Sequence, residues 1–144
     1  MPDLPEENMQ DLIKRRREEY DRLMNMNCPF LKEAVYFNNK GFFHITHDGR
    51  GHIRNEPDAR MRLHLVPWVP RVIQYARVFS KPPKLVPKND PANRTGKEIL
   101  YYELWHRFGS GERKKDIVVV LRRLGSGGRL HFYSVRFAKK QNRP

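Results

Sequence analysis

Three histidines, His44, His47 and His52, fall within nine residues of one another, beside Lys40, Arg50 and Arg54. Imidazole is the side chain whose ordinary pKa puts proton exchange near neutral pH, and the flanking cations supply the charge that an anionic transition state needs. That combination suits proton transfer at a phosphodiester. RNA brings its own nucleophile, the 2′-hydroxyl, so its cleavage needs a proton acceptor, a proton donor for the leaving oxygen, and cations on the phosphate. His44 is the favoured proton-transfer group, because Phe42 and Phe43 precede it and can fix its ring by packing. His47 and Lys40 are then candidate substrate contacts. For any single histidine of the three, a surface or hydrogen-bonded structural role is the competing reading. A zinc site built from His44-x2-His47 with His52 or Cys28 lacks a regular four-ligand pattern. The nine acids of residues 28–144 are scattered singly, without the gathered carboxylates of a two-metal nuclease, so no metal or cofactor is expected.

A second group of candidates lies near the C-terminus. Arg122, Arg123 and Arg136 fall at strand ends or edges, where guanidinium groups can hold phosphate bidentately, although solvated strand arginines are equally ordinary. Ser134 is a small hydroxyl inside a bulky strand, suited to a hydrogen bond with phosphate or a catalytic side chain, or else a plain edge residue. Strand alternation predicts Ser134 on the face opposite His131 and Tyr133. Tyr101, Trp105 and Tyr133 can stack on bases if exposed, or else fill the core.

Charge points the same way. The 144-residue chain carries 29 Lys+Arg against 16 Asp+Glu, a net of +13, which favours a polyanionic partner through phosphate contacts and counterion release. Residues 28–144 hold 24 of those bases and nine of the acids. The bases are dispersed among aromatic and β-branched residues, as on a folded binding surface rather than a low-complexity tail. The single cysteine, Cys28, excludes an internal disulfide. No apolar run approaches the ~18 residues of a membrane span and the N-terminus is acidic, so a cytoplasmic location with no membrane partner is expected.

The elements that must position these groups are legible in outline. Residues 6–26 lack Gly and Pro and space their apolar side chains as a helix, with a thin stripe that predicts packing on the domain's flank. Residues 34–37 read as a short strand, Asn38–Gly41 as a turn, Phe42–Thr46 as the start of a helical turn, and Asp48–Gly51 as a loop. A helix is predicted over 58–75, kinked or divided by Pro67 and Pro70. Residues 81–97, with four prolines, read as an exposed connection. Segments 98–108, 116–123 and 130–138 read as three antiparallel strands in a meander, the first with Leu100, Tyr102, Leu104, His106 and Phe108 towards the helices. The expected whole is α+β: N-terminal helices packed on a twisted antiparallel meander sheet. Its parts are a flanking helix over 1–28, one domain over 29–140 and a tail over 141–144.

Three segments, VYFNNKGFFHITHDGRGHIR near 35–54, ARMRLHLVPWVPRVI at 59–73 and VVVLRRLGSGGRLHFYSV at 118–135, carry a resemblance. Over residues 34–138 the chain resembles the BECR ribonucleases, the superfamily of barnase, EndoU, colicin-type tRNases and RelE-like toxins, and most closely their phage and mobile-element branch. The resemblance implies a RelE/barnase-like sheet and metal-independent endoribonuclease activity, by 2′-hydroxyl transesterification, of a toxin or mobile-element effector. The RNA would be tRNA or mRNA, free or on the ribosome, and an acidic antitoxin or immunity protein would be its partner. It further implies as site residues His44, an arginine of the RMR segment (Arg60 or Arg62), Arg122 or Arg123 on phosphate, and Ser134 as a positioning hydroxyl. Lys40, His47, Trp105, Tyr133 and Arg136 are expected to bind substrate. The rival expectation is a non-catalytic basic nucleic-acid-binding module, regulatory or virion-associated.

Overall fold

The structure is a computed structural model that describes residues 7–139; the expected tail over 141–144 lies outside the described residues. Helix α1 (Met9–Asp21) opens at Asn8, whose side chain accepts from the Gln10 amide, a usual N-cap arrangement. Strands β1 (Met26–Cys28) and β2 (Glu33–Tyr36) follow as an antiparallel pair. Next come α2 (Asn39–Thr46), α3 (Glu56–Leu65), a 3-10 turn over Val66–Trp68 and α4 (Val69–Tyr75). The chain ends with β3 (Val78–Val86), β4 (Ile99–Phe108), β5 (Lys115–Leu124) and β6 (Leu130–Phe137). All six strands form one mixed sheet in the order β1-β2-β6-β5-β4-β3, in which β2 runs parallel to β6 and every other pairing is antiparallel.

The fold is therefore α+β, with corrections to the expected layout. The helices do not all precede the strands: β1 and β2 are interleaved among them and extend the sheet beyond the meander. Helix α1 does more than flank, because Leu12 and Tyr20 are buried members of the main core. Asn38–Gly41 is not a turn but the start of α2, with Asn38 as the N-cap that accepts from the Gly41 amide. The expected connection over 81–97 is shorter than read, because residues 81–86 belong to β3 and only 87–97 connects β3 towards β4. The two prolines of β3 lack N–H groups, yet β3 is the sheet's edge strand and its pairing with β4 shifts register on either side of Lys81, so the missing donors are tolerated. Pro67 and Pro70 do divide the 58–75 helix, at the 3-10 turn and the first turn of α4.

The sheet has two different faces. Leu104, Ile117, Val119, Leu121, Phe132 and Val135 join Leu63, Val69, Val72 and Ile73 of the helices in the main core. On the opposite, outer face Val118, Val120 and Ala138 form a smaller cluster with Tyr101, Trp105 and Tyr133, and no helix residue belongs to it. Among the described residues no helix is long and apolar enough to cross a membrane.

Gly41 sets how closely α2 approaches β6. A Cβ at this position would lie 2.6 Å from the Tyr20 hydroxyl and 2.7 Å from the Phe132 carbonyl oxygen. Tyr20 is itself held there by donating to the Asn38 carbonyl at 2.6 Å. Gly41→Ala is expected to destabilise the protein by about 1–3 kcal/mol through overpacking, measured as a fall in denaturant midpoint. At an unobstructed helical site the same change would stabilise by about 1 kcal/mol, so a raised midpoint would contradict this packing.

Candidate active site

The pairing of β5 with β6 runs regularly until Val120 opposes Ser134 and Leu121 opposes Phe132, which leaves Tyr133 as an extra, bulged residue. The bulge corrects the expected alternation. His131 opposes Arg122 and Ser134 opposes Val120, so both lie on the outer face rather than on opposite faces. Tyr133 also meets outer-face groups: its ring is 5.5 Å from that of Tyr101, and the Arg122 guanidinium lies 4.6 Å from its centroid. Unbroken alternation would have divided these side chains between the two faces.

Beyond Tyr36, β2 no longer pairs with β6, and α2 and α3 lie along that edge. From there His44 reaches round to Tyr133, with ring centroids 4.2 Å apart. His44 is 5% exposed, and among the described residues neither ring nitrogen has a hydrogen-bond partner. Burial lowers its pKa from 6.5 to about 4, with Arg122, Lys40, Arg54 and His47 adding repulsion. The imidazole is thus neutral at physiological pH, able to accept a proton. Tyr133 is shifted the other way: burial, then the neighbouring Tyr101, hold its hydroxyl protonated above the ordinary range. Paired groups with pKa values driven apart are the pattern of an acid and a base at one site. A cavity of about 110 Å³ is lined by Tyr133 with Lys40, Gly41, Arg122 and His131, and His44 lies behind Tyr133 rather than in its lining. No carboxylate among the described residues forms an ion pair with Lys40 or Arg122.

A partly buried ionic network fixes this arrangement. Asp58 bridges two arginines, at 3.2 Å to Arg54 Nη1 and 3.1 Å to Arg62 Nε. Arg54 Nε donates to the His44 carbonyl, while Arg62 Nη1 donates to Ser134 Oγ at 2.9 Å and to the Val135 carbonyl at 3.1 Å. Asp58 thereby ties the end of α2 to β6. Among the described residues Ser134 Oγ accepts from Arg62 and so meets neither His44 nor another expected proton-transfer group.

The other expected site residues divide. Arg60 donates to the Glu7 carbonyl and pairs with Glu56, which directs it towards the start of α1. Arg123 lies on the helix side of the sheet, opposite Leu100, in a bidentate pair with Glu33 at 2.6 Å. Alternation separates it from Arg122, so only one of the two faces the cavity. Arg136 is on the outer face, paired with Glu103 at 2.5 Å. Trp105 is there too, opposite Val118. His47 stacks on Phe43 at 3.9 Å and its Nδ1 lies 2.9 Å from Thr46 Oγ1. The zinc alternative does not assemble, since Cys28 is in the core, His52 pairs with Asp48, and among the described residues no three His, Cys, Asp or Glu side chains gather as metal ligands. Sequence reasoning missed Asp58 and took Arg54 only as a flanking cation. Their i,i+4 spacing was legible, but their attachment to His44 and β6 depends on tertiary contact.

The chain matches no known family model, no curated protein and no solved structure.

Two outcomes follow from the burial. Ser134→Ala removes one acceptor from the partly buried Arg62 guanidinium, whose Nη1 keeps the Val135 carbonyl, and is expected to cost about 1 kcal/mol in urea unfolding; no loss would contradict the network. Because His44 binds its proton more weakly folded than unfolded, its contribution to stability is complete above pH 6.5 and lost as pH falls towards about 4. Across that window Tm should fall more steeply for the wild type than for His44→Phe. Parallel slopes would show that His44 titrates alike in both states.

Proposed function

We propose that this protein is a metal-independent endoribonuclease, related to the BECR ribonucleases that its sequence resembles. The observation that carries the reading is His44: a buried, neutral imidazole with no hydrogen-bond partner among the described residues, packed against Tyr133, which lines a cavity together with Lys40 and Arg122. Burying two unsatisfied ring nitrogens costs free energy and contributes nothing to packing that a phenyl ring would not. A proton-transfer role accounts for that cost.

In the proposed reaction the scissile phosphate sits between Lys40 and Arg122. His44 accepts the 2′-hydroxyl proton, the 2′-oxygen bonds to phosphorus, and the bond from phosphorus to the 5′-oxygen breaks. Tyr133 gives its proton to the departing 5′-oxygen, leaving a 2′,3′-cyclic phosphate and a 5′-hydroxyl. The two cations offset charge on the phosphoryl oxygens. His44 and Tyr133 return to their starting protonation states by exchange with solvent. A toxin or mobile-element effector acting on tRNA or mRNA fits such chemistry, and the cationic outer face suits an acidic antitoxin or immunity partner. A second reading is favoured by the aromatic outer face around Tyr101 and Trp105: a basic binding module without catalysis.

Incubation with total RNA and deproteinised tRNA in excess EDTA separates them. Discrete cuts ending in cyclic phosphates are expected, with His44→Ala slowed about 100-fold or more, the usual scale of general base catalysis. The acid limb of the rate profile should lie well below the ordinary imidazole value of 6.5. Wild-type rates in His44→Ala would remove the mechanism, and intact RNA bound in a salt-sensitive manner would select the binding module.

A further inference from the structure

The registers of four strand pairs place one row of side chains across the outer face. Lys84 of β3 opposes Tyr101 of β4, Tyr101 opposes Arg122 of β5, Arg122 opposes His131 of β6, and His131 opposes Tyr36 of β2. Directly opposed residues project from the same face, so the five side chains form a continuous line. Contacts agree with the registers: the Tyr36 and His131 rings are 6.0 Å apart, and Arg129 lies 4.6 Å over the Tyr36 ring. Strands are spaced about 4.8 Å apart, which makes the row roughly 19 Å long over its four steps. Rings and cations alternate along most of it. Among the described residues none of Lys84, Arg122 and Arg129 is in an ion pair with a carboxylate, whereas Arg123 and Arg136, off the row, both are.

We propose that this row is a track for single-stranded RNA, running across the strands from Tyr36 and Arg129 through the cavity to Lys84; it rests on the ribonuclease reading above and names that site's substrate class. Unpaired bases stack on aromatic rings while cations between them take the phosphates, a sequence-tolerant mode of single-strand binding. A duplex hides its base faces and presents backbone and shallow-groove edges instead, so it gains nothing from the rings. The track places nucleotides on both sides of the scissile phosphate, because Tyr36 and Lys84 lie at opposite ends of the row with Arg122 between them.

The test uses fluorescence anisotropy with a labelled 2′-O-methyl oligonucleotide, single-stranded or annealed to its complement. Having no free 2′-hydroxyl, the probe reads binding without cleavage. Tyr36→Ala and Tyr101→Ala are each expected to weaken single-strand binding about 5- to 100-fold, while Tyr36→Phe, which keeps the ring, stays near wild type. Lys84→Gln should reduce the slope of log affinity against log salt by about 0.7. Tyr75→Ala, an exposed aromatic on α4, should change nothing. If Tyr36→Ala loses its circular dichroism signature, the exposed Arg129→Gln replaces it, with a slope loss like that of Lys84→Gln. Wild-type binding by both tyrosine-to-alanine variants, or equal affinity for duplex and single strand, would overturn the track. Row-dependent binding by a protein that never cuts ordinary RNA would instead sink the nuclease reading and leave the track standing.

Discussion

One extra residue in β6 decides which side chains meet. With two residues of β6 opposing one of β5 around Tyr133, the strand delivers His131, Tyr133 and Ser134 to the face that the helices leave open. Delete that residue in thought and the period of two sends part of the set into the core. The helix-side face sets the complementary limit, because Phe132 and Val135 on either side of the bulge must remain buried. The bulge satisfies both demands: an unbroken apolar face for α2–α4 and a polar, aromatic cluster opposite.

What the bulge presents, α2 completes. The helix comes close enough to β6 only because Gly41 has no side chain, and the Asp58 bridge between Arg54 and Arg62 holds its far end. An aspartate between two partly buried arginines is a poor source of net stability, yet removing one member strands the others, so the geometry is held tightly. The consequence for chemistry is that His44 has both ring nitrogens buried and left without a hydrogen-bond partner among the described residues. Its neutrality is a product of packing, with nearby cations reinforcing it, rather than of a hydrogen bond that would also occupy the nitrogen needed for proton transfer.

Sequence patterns disclosed what depends on local periodicity. The three C-terminal strands, the inward face of β4 and the division of the 58–75 helix at its prolines could all be read from spacing, whereas Phe43 stacks on His47 and His44 packs on Tyr133, a contact that spacing does not reveal. Patterns failed where a tertiary circumstance overrides local preference. The prolines of β3 looked like a connection because nothing local announces an edge strand. The NNKG segment looked like a turn because Asn serves equally as an N-cap. The adjacent arginines 122 and 123 looked equivalent, and only their register assigns one to the cavity and the other to Glu33. Ser134 was placed on the wrong face because a bulge has no signature in a single strand, and the row from Tyr36 to Lys84 needs the order of all the strands.

The central claim is that His44 is held neutral by desolvation beside Tyr133 and Arg122. Its most direct measurement is an NMR titration of the imidazole resonances in the intact protein, repeated in Arg122→Gln. The expected midpoint is about 4, against 6.5 for an ordinary histidine, and it should rise when the Arg122 charge is removed. A midpoint at or above 6.5 that ignores Arg122 would show a solvated or hydrogen-bonded ring and contradict the account.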